Sequence, residues 1–231
     1  MSSKSRRAFL SNLGVAASAA GATLAAGSAA AHAQAPASPP ADSRWQASRH
    51  EQDDWFDQLP GKHRFFFDTS TPDRLEDAIQ FTGNYFSANR SGYSLSNGDL
   101  AVIVCMRHRS APFAFNDAMW AKYGVTLAKR AEFVDPKTKE MPKVNYFTPK
   151  APAAPARARG LADLMALGVQ FAICNLSTRA ISGLIADATG QKTDEVYQEI
   201  TANLIEHARL VPAGIVAVNR AQERGYSVTG G

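Results

Sequence analysis

The chain has 231 residues, 45% hydrophobic and 20% charged, which are the values of an ordinary globular protein and exclude a disordered or fibrous one. Its formal net charge is +4, but Lys4, Arg6 and Arg7 stand in the first 33 residues with no acid beside them, so +4 less those three leaves about +1 for the remainder. A domain so near neutrality has no global electrostatic reason to bind nucleic acid. Two cysteines, Cys105 and Cys174, are too few for a disulfide framework.

The first segment reads Ser-Lys-Ser-Arg-Arg-Ala-Phe-Leu over residues 3–10, followed by an uncharged run rich in Ala, Gly and Ser from Leu13 to Ala31. Paired arginines before x-Phe-Leu, a weakly apolar run, and the small-x-small pattern of Ala31, His32 and Ala33 together read as a twin-arginine export signal over residues 1–33. The expected location is therefore the periplasm. Ala, Gly and Ser supply little insertion energy, so no stable membrane insertion is expected once the signal is removed.

Residues 34–61 read as a Pro/Ala tether and then an N-terminal arm, with Trp45, Trp55 and Phe56 packing on the domain or on a partner subunit. The domain is expected over residues 62–231. His63 to Phe67 forms a short strand ended by Asp68, and Thr71 with Pro72 opens a helix with Leu75, Ala78, Ile79, Thr82 and Phe86 at helical spacing. Leu100 to Met106 is continuously apolar, the mark of a strand buried on both faces. A helix is expected over residues 111–123. Residues 134–159, with five prolines, form an extended excursion. A short helix follows at 160–167, a strand at 169–174, helices at 178–187 and 193–205 (the latter capped by Thr193), a strand at 208–211, a helix from Pro212 to about Arg224, and a last strand at 226–228. This alternation predicts an α/β three-layer sandwich with a mainly parallel central sheet of about five strands, of the flavodoxin-like class.

In such sheets ligands bind beyond the carboxyl ends of the strands. That edge holds Cys105, Arg107, His108 and Ser110 after one strand, and Cys174, Asn175, Ser177 and Arg179 after another. Cys174 ends a strand just before a helix, where unpaired amides favour an anion, so a thiolate there would be a good nucleophile. The bland alternative is an inert, half-buried thiol that packs as a small hydrophobe. His108 reads as a general acid/base or anion contact, or equally as a histidine satisfied by its loop. Arg107, Ser110, Asn175, Ser177 and Arg179 are the candidate ligand-binding residues. Cys105 reads as core; a disulfide or redox pair with Cys174 demands adjacent sulfurs. Cys105 and His108 have C-x-x-H spacing, but positions three apart on a strand face opposite ways, so no metal site is expected. There is no G-x-G-x-x-G, Walker loop, G-x-S-x-G or C-x-x-C, and no cofactor is expected.

The run Val-Gln-Phe-Ala-Ile-Cys ending at Cys174, with Arg179 and Gly183 after it, resembles the strand–Cys–helix element of the DsrE/DsrF-like family. The closing run from Val211 to Tyr226 resembles that family's last helix and strand, and the resemblance covers about residues 62–228 without the excursion. It implies a compact α/β fold assembled as homo-oligomers, trimers or hexamers. It also implies a sulfur carrier or sulfurtransferase-like role in which Cys174 holds a persulfide and exchanges sulfur with a donor or acceptor protein. The competing reading is a non-catalytic small-ligand-binding or assembly module, with Trp45, Trp55, Phe113 and Trp120 at subunit contacts. A buried Cys174 would favour it.

Overall fold

A computed structural model describes residues 46–148 and 160–230. The expected export signal and tether, Trp45, and the expected excursion beyond Thr148 lie outside those residues. Five parallel strands form one sheet: β1 (His63–Thr69), β2 (Leu100–Met106), β3 (Gln170–Cys174), β4 (Ala208–Val211) and β5 (Ser227–Gly230), in the order β4-β3-β2-β1-β5. The layered α/β class is the expected one, although the strand order differs from the 2-1-3-4-5 order of flavodoxin itself.

The order fixes where the helices go. From β1 to β4 the chain steps in one direction, and right-handed crossovers then put every connecting helix on one face. That face carries α2 (Pro72–Tyr93), α3 (Asp117–Ala131), α5 (Asn175–Thr189) and α6 (Thr193–Ala202), with the short α4 (Leu161–Ala166) between α3 and β3 in sequence. Their apolar residues, among them Leu75, Phe86, Leu127, Ile181 and Ile200, join Val102, Val104 and Phe171 in the larger core cluster. Stepping from β4 to β5 reverses direction, so α7 (Gly214–Gln222) lands on the opposite face. There Ala217 and Ala221 pack with Phe66, Ile103, Cys105 and Ala172.

One small helix cannot cover that second face. The arm completes it: α1 (Trp55–Gln58) buries Trp55 and Phe56 in the same cluster, and Tyr226 donates its hydroxyl to the Phe56 carbonyl at 2.6 Å. The domain therefore begins before residue 62; the compact unit runs from Ala47. Trp55, Phe113 and Trp120 are all buried in their own chain's core and are not subunit contacts.

Local chemistry accounts for several element ends. Thr71 caps α2 by accepting from the Arg74 amide, with Pro72 at the first helical position. The helix expected at 111–123 is instead a 3-10 turn at Ala111–Ala114, followed by α3, which starts after the cap Asn116. Phe115 is drawn into an antiparallel bridge with Leu204, and that extended residue separates the two helical pieces. α5 starts at Asn175, earlier than expected, and Lys192 rather than Thr193 occupies the cap position of α6. Among the described residues no helix is long and apolar enough to cross a membrane.

Candidate functional site

Strand register sets out the carboxyl edge. Asp68 on β1 lies level with Cys105 on β2, and Cys105 with Ala172 on β3. One step past the last pair, Met106 with Ile173, Arg107 comes level with Cys174. Side chains alternate along a strand, and Cys105 and Ala172 face α7, so Asp68, Arg107 and Cys174 share that face.

Arg107 does not reach toward Cys174. Its guanidinium turns to β1 and holds Asp68 with two hydrogen bonds, Nε to Oδ1 at 2.8 Å and Nη2 to Oδ2 at 2.7 Å. Asp68 is buried and Arg107 half-buried. Hydrogen bonding to Asp68 holds the Arg107 guanidinium above its ordinary value. Gly214, in the first turn of α7, lies over both: a β-carbon there would stand 2.7 Å from Arg107 Cδ and 3.0 Å from Cys105 Sγ. Sequence reading missed Asp68 and Gly214. The available signal for Asp68 was a carboxylate ending a triple-phenylalanine strand, a buried place that demands a cationic partner.

Cys105 is fully buried, and burial, followed by the nearby Asp68 charge, pushes its thiol well up. Cys174 is 6% exposed and caps α5 by position, with no side-chain capping hydrogen bond. The thiol expected to be accessible is thus buried. Both thiols are free. Neighbouring strands ~4.8 Å apart and two residues of rise at ~3.3 Å put their Cα atoms about 8 Å apart. That exceeds the ~7 Å a disulfide spans, so this backbone does not support a Cys105–Cys174 bond.

The other expected residues divide by what already holds them. The buried Ser110 hydroxyl donates to the loop and accepts from Thr69 Oγ1 and the Arg107 amide, at 2.8–3.0 Å. It fixes the β2 loop and has no free surface for a ligand. Ser177 accepts the His108 amide at 2.9 Å, tying that loop to the first turn of α5. His108 is exposed, at a left-handed φ of 55°. Arg109 pairs with Glu132, and Arg179 pairs with Asp194 at 3.3 Å while stacking 3.7 Å over the Tyr197 ring. Asn175 accepts from the Tyr197 hydroxyl at 2.8 Å. Arg107, Arg109 and Arg179, the arginines of this edge, are therefore each committed to a carboxylate, and Arg179 does not fold back over Cys174. Leu176 in the first turn of α5 and Ile215 in that of α7 are exposed, at 66% and 62%.

A cavity of about 720 Å³ opens elsewhere, beside the start of α3, α4 and the turn Leu204–His207 that precedes β4. It lies toward the amino ends of β3 and β4 and shares no residue with the cysteine edge. Among the described residues no group of three or more His, Cys, Asp or Glu is gathered as a metal site.

No family model matches the chain, and no curated protein matches it. Among solved structures it is similar to a protein of unknown function from Methanobacterium thermoautotrophicum, at 13% identity and a TM-score of 0.36, over 73% of this chain and 98% of that one. That likeness carries no argument about family or activity.

Proposed function

We propose that the chain is a DsrE-like sulfur carrier of the periplasm, exported by the twin-arginine route, in which Cys174 holds sulfur as a persulfide. The observation that supports this best is the place of Cys174. It ends a buried strand at the first turn of α5, on a sheet face shared with a second thiol and the Arg107–Asp68 ion pair, and is itself buried at 6% exposure. In the step proposed, the Cys174 thiolate attacks the outer sulfur of a persulfide or polysulfide. The S–S bond of the donor breaks, and the departing thiolate takes up a proton. Sulfur moves without a net oxidant, as thiol–disulfide exchange requires. With every edge arginine already paired, the α5 amides are the groups that stabilise negative sulfur.

Incubating the full chain with polysulfide tests this by intact mass. A gain of one sulfur atom that disappears in Cys174→Ser supports the reading; the same gain in Cys174→Ser, or none in either, ends it.

The second reading, a non-catalytic binding or assembly module, is favoured by the near-closure of Cys174 and by exposed Leu176, Ile215 and Val216 around it. In that case Cys174→Ser leaves the chain's assembly intact, whereas Leu176→Asp with Ile215→Asp dissociates a homo-oligomer in sedimentation.

A further inference from the structure

We infer that the cavity between the start of α3 and the turn before β4 is a ligand site for a small organic cation, an amine or guanidinium with an apolar body. Its volume, about 720 Å³, falls in the range of small-molecule pockets, roughly 300–1,000 Å³. Met165, Leu204 and Ile205 give it an apolar lining.

The ionisable groups around that lining decide the ligand's chemistry, because they offer acceptors. Asp117 uses Oδ1 to accept the Asn145 amide at 2.8 Å, which leaves Oδ2. Glu206 is exposed and makes no ion pair among the described residues. His207 places Nδ1 3.2 Å from the Val169 carbonyl. A carbonyl only accepts, so Nδ1 carries the hydrogen, and in the neutral ring Nε2 is an acceptor. Asn116, the lining's amide donor, gives one of its two N–H groups to Asn203 Oδ1 at 3.1 Å. No Lys or Arg lines the cavity among the described residues. Thr148 is also part of the lining. Two carboxylates and an imidazole acceptor beside an apolar wall match a cation on an apolar stem and repel an anion.

This inference does not rest on the sulfur reading, because the two regions lie at opposite edges of the sheet. The test is a titration of the full chain with phenethylamine and, separately, with 3-phenylpropionate at equal ionic strength. The His207 ring signals are followed by NMR and assigned with His207→Gln. The amine is expected to move them saturably and the acid to leave them in place. Glu206→Gln, an exposed change that leaves the core untouched, is expected to weaken the amine about fivefold. No response to the amine, an equal response to the acid, or an unchanged affinity in Glu206→Gln would each overturn the proposal.

Discussion

Alanine at Gly214 and alanine at Gly183 should move stability in opposite directions. At Gly214 the new β-carbon would stand 2.7 Å from Arg107 Cδ, 2.9 Å from Arg107 Cβ and 3.0 Å from Cys105 Sγ. Arg107 Cβ is fixed to the backbone at the end of β2, so it cannot swing clear. Either α7 lifts from the sheet or Arg107 loosens from Asp68. Overpacking of this kind costs about 1–3 kcal/mol. The helix-propensity gain of alanine over glycine offsets about 1 kcal/mol, so a net loss of about 0–2 kcal/mol remains. At Gly183, inside α5, the added carbon meets nothing within 4 Å, and only the propensity gain is left, about 0.5–1 kcal/mol. Each kcal/mol moves the Tm of a domain this size by about 2–4 °C. Urea unfolding read at constant m-value, together with thermal melts, measures both variants. A Gly214→Ala chain more stable than its parent, or two variants that shift the same way, would refute the close approach of α7 to the cysteine edge.

Phe56→Ala should cost about 3–5 kcal/mol in urea unfolding, because the ring is fully buried in the second core; a loss under about 0.5 kcal/mol, the surface value, would mean that the arm is not part of the domain. Asp68→Asn should cost about 2–4 kcal/mol by the same assay, since it leaves the half-buried Arg107 charge unmatched; an unchanged midpoint would show that the pair is not formed. Burial pushes the Tyr226 hydroxyl up to about 12 from an ordinary 10.0. Its neutral form is favoured by folding, so the stability it adds is whole below pH 10 and is lost as pH rises toward 12. Phenolate absorbance should then show one tyrosine ionising later than the exposed ones, absent in Tyr226→Phe; no change in Tyr226→Phe would contradict the buried bond to Phe56.

The sheet was legible in the sequence because its signals are local. An unbroken apolar run from Leu100 to Met106 allows little but a strand covered on both faces, and Thr71 with Pro72 marks a helix start that needs no distant partner. The start of α3 misled because Ala111 and Pro112 imitate a helix opening, while the true cap, Asn116, is set by Phe115 pairing with Leu204 far along the chain. The site was legible only in outline. Sequence placed Cys174 and the Arg107–Ser110 loop at one edge, but the partners that decide their chemistry are remote. Asp68 lies 39 residues from Arg107, and Asp194 lies 15 from Arg179. Arginines that looked free for an anion are therefore committed. The cavity had no sequence signal at all, since its walls come from α3, α4 and a turn near residue 206 that only the fold brings together.

The sharpest test of Cys174 is where sulfur lands on the folded chain. Brief polysulfide treatment, alkylation and peptide mass mapping should place an alkylated persulfide on the peptide containing Cys174, with Cys105, fully buried and raised by its surroundings, left as a plain thiol. Sulfur on Cys105, on both cysteines equally, or on neither would contradict the account.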